Sequence, residues 1–170
     1  MQNKYFPTFV LGFAAAVLTT VPGVKNFACC LIVPLAAGFS IFIDQRLKQF
    51  ASKVIMSEAV VFGIFTGIFT SLFGTAFDLL ITYLLKSNDL VRSITEVEKM
   101  IKDLPFGESG KMTLEIFRQI QKDITTTGFS WFYAFSQLAG NLFVYVITGL
   151  LGGLLGYSFI NNRYHKNPMY

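Results

Sequence analysis

Histidine occurs once in this chain of 170 residues, as His165 in a polar tail, and cysteine only twice, as the neighbours Cys29 and Cys30. Charge is scarce too: Asp, Glu, Lys and Arg together make up 14% of the sequence. Each shortage excludes some chemistry. A single histidine in a tail leaves no Ser/His/Asp set, no HExxH motif and no axial histidine for a haem inside the apolar segments. Neighbouring cysteines on a helix point about 100° apart, so they do not easily share a metal or close an unstrained disulfide. They read as small apolar filler. There is no Walker loop and no dinucleotide fingerprint. The expectation is a protein that is not an enzyme and holds no metal or cofactor, with bound lipid as the one compatible ligand. The net charge of +4 is small and its cations are scattered through turns and tails, which gives no support for a nucleic-acid partner.

Apolar sequence is what the chain has in excess. Hydrophobic residues account for 53% of it, and phenylalanine alone for 19 positions. From Ile124 to Asn162 there are 39 residues without one Asp, Glu, Lys or Arg. A bilayer crossing needs ~20 mostly apolar residues, because backbone N–H and C=O groups must be satisfied within the segment where water is absent. Three further uncharged stretches repeat the signal: Tyr5 to Val24, Asn26 to Ile43 and Ala59 to Phe77.

The expected fold class is therefore all-α: one compact integral membrane domain over residues 1–170, a four-helix bundle with a short N-terminal helical hairpin. The expected spans are 6–21, 26–43, 54–85 and 128–160, with an extramembrane helical insert at 87–125 and a polar tail at 161–170. Lys4 and the apolar run to Val21 imitate a signal peptide, but are read here as a retained first helix, with Pro7 near its start and Pro22-Gly23 after its end. The turn to the second span is only a few residues long, which forces an antiparallel pair, or in the competing reading a re-entrant one. Pro34, near Gly38, is expected to kink the second span, as a packing kink or as a hinge or ion ligand. The third and fourth spans exceed the ~30 Å hydrocarbon thickness, so they tilt or project beyond it.

The insert differs in character. Leu90, Ile94, Val97, Ile101 and Leu104 fall at alternating spacings of four and three on one helical stripe. Pro105-Phe106-Gly107 and Ser109-Gly110 read as a break, Thr113 as an N-cap, and Ile116, Phe117, Ile120 and Ile124 as the apolar face of a second helix. Seven basic and seven acidic residues between Lys86 and Asp123 leave the segment neutral, which favours packing on its twin or docking a partner over lying on a membrane surface. The docking face would be Leu90, Ile94, Val97, Ile101, Phe117 and Ile120. Both termini are expected in the cytoplasm of a bacterial inner membrane, since their side is net basic in short loops.

Two kinds of candidate site stand out. Ser136, Gly140, Val144, Thr148, Gly152 and Gly156 repeat every four residues, Gly149 and Gly153 run beside them, and Ala59, Gly63, Gly67, Ser71 and Thr75 answer on the third span. Such lanes let helices approach closely, either inside the monomer or against another subunit. Two acids enter the apolar region: Glu58, expected to snorkel or pair with Lys53, and Asp78, with Gln137, Ser136 and Tyr133 at similar depth. An ionised carboxylate there costs ~2.5–3.5 kcal/mol unless sheltered, so Asp78 either fixes helix register or handles an ion. The functional expectation is a non-catalytic accessory or structural subunit whose partners are other membrane subunits, further copies of itself and lipids. The alternative is a small oligomeric ion or solute transporter or channel using Asp78.

Overall fold

The computed structural model describes residues 4–21, 23–91, 93, 94, 99 and 107–164. Among these, every regular element is helical: α1 (Phe6–Thr19), a 3₁₀ turn (Lys25–Phe27) leading into a π-helical turn (Ala28–Ile32), α2 (Val33–Leu47), α3 (Met56–Leu85), α4 (Gly107–Thr127) and α5 (Trp131–Tyr164). Three helical stretches are long and apolar enough to cross a membrane: Lys25–Leu47, Met56–Leu85 and Trp131–Tyr164. The first helix is apolar but has only 14 residues, a rise of about 21 Å. Its backbone turns off at Thr20, whose N–H and hydroxyl both bond to Val17 O, at 3.3 and 2.7 Å, and tighten the last turn.

Local chemistry moved the other boundaries from their expected places. Pro34 stands in the first turn of α2, directly after a π turn, within the helical stretch Lys25–Leu47. With no N–H of its own and a ring that would collide with the carbonyl of Cys30, proline is accommodated by widening the preceding turn. α2 then runs on past Ile43 to Leu47, because Asp44 is paired with Lys48 one turn later at 2.6 Å. α3 starts at Met56, two residues late, since the Val54 backbone is bonded elsewhere. α4 begins at Gly107, so Ser109, Gly110 and Thr113 lie within the helix and not in a break or at a cap. Turn preference there is weak against helix propagation. Thr125, Thr126 and Thr127, read as an entry to the last span, instead end α4: each hydroxyl bonds back to the carbonyl four residues earlier. Gly128 follows at φ +82°, its N–H on Ile124 O at 2.9 Å, and α5 starts at Trp131.

The chain, read above as one compact bundle, divides into two compact units, Met1–Phe77 with Leu138–Tyr170, and Asp78–Gln137. In the first, α1 and α3 run parallel along a phenylalanine ladder: Phe9 meets Phe69 and Phe73, and Phe13 meets Phe73 and Phe77, all edge-on at 5.3–5.7 Å. Its interior is small and hydroxylated. Thr8, Ser40, Thr66, Thr70 and Ser71 are fully buried, most donating to a carbonyl of their own helix, while Phe143 is 71% exposed and Leu155 68%. Beside these hydroxyls the unit buries one apolar cluster, Ile41, Val54, Ala59, Phe62 and Ile160, while much of its remaining large apolar surface faces outward, as hydrocarbon solvation allows. The second unit is held by Ile120, Ile124 and Tyr133, packed with Leu79, Leu90 and Val91.

Candidate functional site

The two small-residue lanes of α5 have different occupants. Gly149 and Gly153 face α3: a Cβ on Gly63 would stand 2.5 Å from Gly149 O, and one on Gly149 would stand 2.5 Å from Gly63 O. Gly67 abuts the backbone of Tyr145 and Val146 in the same antiparallel register, and Asn141 Nδ2 donates to Thr75 Oγ1 at 2.9 Å farther along. Gly152 and Gly156 face α2 instead, against the Pro34 backbone and Gly38 Cα. Both lanes are therefore consumed inside the monomer at these positions. Thr148 is half-buried and bonds to Val144 O in its own helix. Ser136, Gly140 and Val144 are exposed, and a Cβ on Gly140 would have no atom within 4 Å. The four-residue repeat is thus one stripe in sequence but two environments in space, since Gly152 and Gly156 meet the α2 backbone while Gly140 meets nothing.

In the second unit Gln137 Nε2 donates to Asp78 Oδ2 at 3.3 Å, with Asp78 half-buried. Depth along the helices offered Tyr133, Ser136 and Gln137 as partners for Asp78, and Gln137 makes this contact. The apolar face of the insert turns inward: Ile94 and Ile120 are buried and Leu90 packs on the Ile120 cluster, whereas Ile116, assigned to that face, is exposed. Phe117 is half-buried, and Val97, Ile101 and Leu104 lie outside the described residues, as does His165. A stripe already buried by its own unit cannot also be the docking surface at Leu90, Ile94 and Ile120.

Glu58 pairs with Lys4 and not with Lys53. The parallel alignment of α1 and α3 lays the N-terminal segment beside the first turn of α3, whereas Lys53 precedes that helix. The Glu58 carboxylate holds the Lys4 ammonium above the ordinary lysine value of 10.5. A raised folded value means that this contribution to stability is complete below the ordinary lysine range and is lost as pH rises through the raised value. The pair is partly exposed, so Lys4→Met is expected to cost no more than about 1 kcal/mol, and Lys53→Met nothing measurable. Chemical unfolding in detergent compares the two.

One contact had no signature in the sequence. Asn161, which reads as a helix-ending polar residue, uses its amide as a backbone mimic: Val54 N–H donates to its Oδ1 and its Nδ2 donates to Val54 O, both at 3.0 Å. Beside it Tyr164 stacks on Phe50 at 4.1 Å, and Gln49 and Phe50 are held at φ +54° and +53°. Only the double asparagine after an apolar run hinted at it. The Cys29 and Cys30 thiols are free, with their sulfurs 3.5 Å apart. Among the described residues no three His, Cys, Asp or Glu side chains gather as a metal site.

The chain matches no protein-family profile, no curated protein and no solved structure. What its geometry defines is a class: an all-helical protein with three helices long and apolar enough to cross a membrane, built on glycine-mediated helix contacts.

Proposed function

We propose that the protein is a non-catalytic accessory or structural subunit of a larger membrane complex, with α1 completing a fourth crossing beside the three long helices. In this reading the membrane is a bacterial inner membrane, both termini are cytoplasmic, and the insert between α3 and α5 lies outside the bilayer. The observation that carries the proposal is the unfilled part of the α5 lane. Gly140 and Val144 are exposed with nothing packed into Gly140, although the same lane is closed by backbone contact lower down. A helix offering a small-residue step to an incoming helix is the commonest means of association in hydrocarbon.

Gly140→Leu tests this without disturbing the fold, since the added side chain meets open space. Purification in mild detergent followed by mass spectrometry is expected to recover a stoichiometric complex with the native chain and to lose it with Gly140→Leu, at unchanged monomer stability. A native chain that purifies without another subunit counts against the reading. The Asp78–Gln137 pair favours one second reading, a small oligomeric transporter or channel. That reading requires a pure homo-oligomer and a liposome flux that disappears in Asp78→Asn but survives Glu58→Gln.

A further inference from the structure

Between α2 and α5 runs a cleft of about 650 Å³, apolar along its length and open to the outside. Its floor is nearly bare backbone, where Gly38 meets Gly152 and Gly156. Leu35 and Phe39 form one wall and Leu155 and Phe159 the other, all at least half-exposed. Two helices that touch through glycine leave a V-shaped groove above the contact, because the flanking large side chains splay outward. From Gly152 to Arg163 the groove extends roughly 16 Å along the helix, which is about one leaflet of a hydrocarbon core ~30 Å thick.

One end is chemically distinct. Arg163 is the single charged residue of the lining. Its guanidinium sits 5.9 Å from the ring centre of Phe159 and 6.0 Å from that of Tyr164, two other lining residues, and has no carboxylate partner among the described residues. The two rings lie at the limit of cation–π range, and Arg163 stays exposed at that end of the groove. Phe42 and Tyr164, which line the groove at that end, are joined to Phe50 in an aromatic cluster.

We propose that this groove binds one acyl chain of an anionic phospholipid, with the headgroup phosphate on Arg163. An apolar groove about one leaflet long with a guanidinium at one end complements such a lipid in length, polarity and charge, and basic pockets between membrane helices recognise anionic headgroups in this way. The groove lies on the α2 side of α5 and stands whether or not Gly140 receives a partner.

The test places a tryptophan in the wall, Phe39→Trp in a Trp131→Phe background, and reads its quenching by brominated lipids in phosphatidylcholine vesicles. Brominated phosphatidylglycerol is expected to bind about fivefold more strongly than brominated phosphatidylcholine. Arg163→Gln should bring that ratio to about one, and Arg163→Lys should keep most of it. Equal quenching by the two lipids would reduce the groove to ordinary bilayer contact. A preference that survives Arg163→Gln would remove the headgroup site. Absence of quenching by either lipid would show a protein occupant, a second copy or another subunit. Leu155→Trp, on the opposite and more exposed wall, gives the same readout should Phe39→Trp fail to fold.

Discussion

Gly63→Leu is expected to destabilise the chain by about 3 kcal/mol or more, the upper end of what overpacking costs, while Gly140→Leu stays within about 0.5 kcal/mol of the parent. The two sites share a residue type, a setting on a long apolar helix and a four-residue motif. They differ in what surrounds them. At Gly63 even one added carbon would stand 2.5 Å from a backbone oxygen of α5 and 2.9 Å from Leu150 Cα, and neither atom belongs to a flexible side chain that could swing away. α3 and α5 would have to separate along the line from Ala59 to Gly67, losing dispersion contacts that are the main attraction between helices in hydrocarbon. Thermal unfolding of both variants in the same detergent checks this: a Gly63→Leu midpoint unchanged from the parent would show that the helices are not in contact there.

Asn161→Asp carries the second large effect, and its sign depends on pH. Val54 is buried, and its N–H and C=O both bond to the Asn161 amide. An ionised aspartate can still accept from the N–H but places negative charge against the carbonyl, leaving a buried acceptor unpaired at about 1–3 kcal/mol in addition to the repulsion. The protonated acid restores a donor facing Val54 O. Its folded pKa therefore lies above its unfolded value, so the variant is most stable at low pH and loses stability as pH rises through the folded value. Asn161→Leu, lacking both functions, should be destabilised by roughly 2–4 kcal/mol with no such dependence. Equal pH profiles for the aspartate and leucine variants would mean that the amide is not clamping Val54.

The extent of the apolar helices was legible from residue type because bilayer crossing imposes a length and an absence of charge. The facing lanes of Gly63 and Gly149 were legible because small residues at a helical repeat have few other uses. Which lane met which helix was not: Gly149 and Gly152 are three residues apart on one surface, and their division between α3 and α2 depends on where α2 begins. The boundary at Val54 escaped because it is set by a bond to Asn161 across 107 positions, whereas the extension to Leu47 accompanies a local Asp44–Lys48 pair that charge counting treated only as the end of a span. Glu58 was assigned the cation near in sequence, whereas parallel packing supplied Lys4. Asp78 and Gln137 came together as their depths implied, while of the two uses read for the insert's apolar stripe, internal packing or docking a partner, Ile94 and Ile120 are spent on the first.

The hydroxyl-rich interior of the first unit has a calorimetric consequence. Separating these helices within a micelle would uncover threonine, serine, alanine and glycine, together with the Ile41–Phe62–Ile160 cluster and the phenylalanine ladder, to acyl chains and not to water. Little apolar surface would become wetted, so the heat-capacity increment of that transition should fall well below the ~12–15 cal/mol/K per residue of water-soluble domains. Its stability curve should accordingly be shallow on cooling, with no approach to cold denaturation.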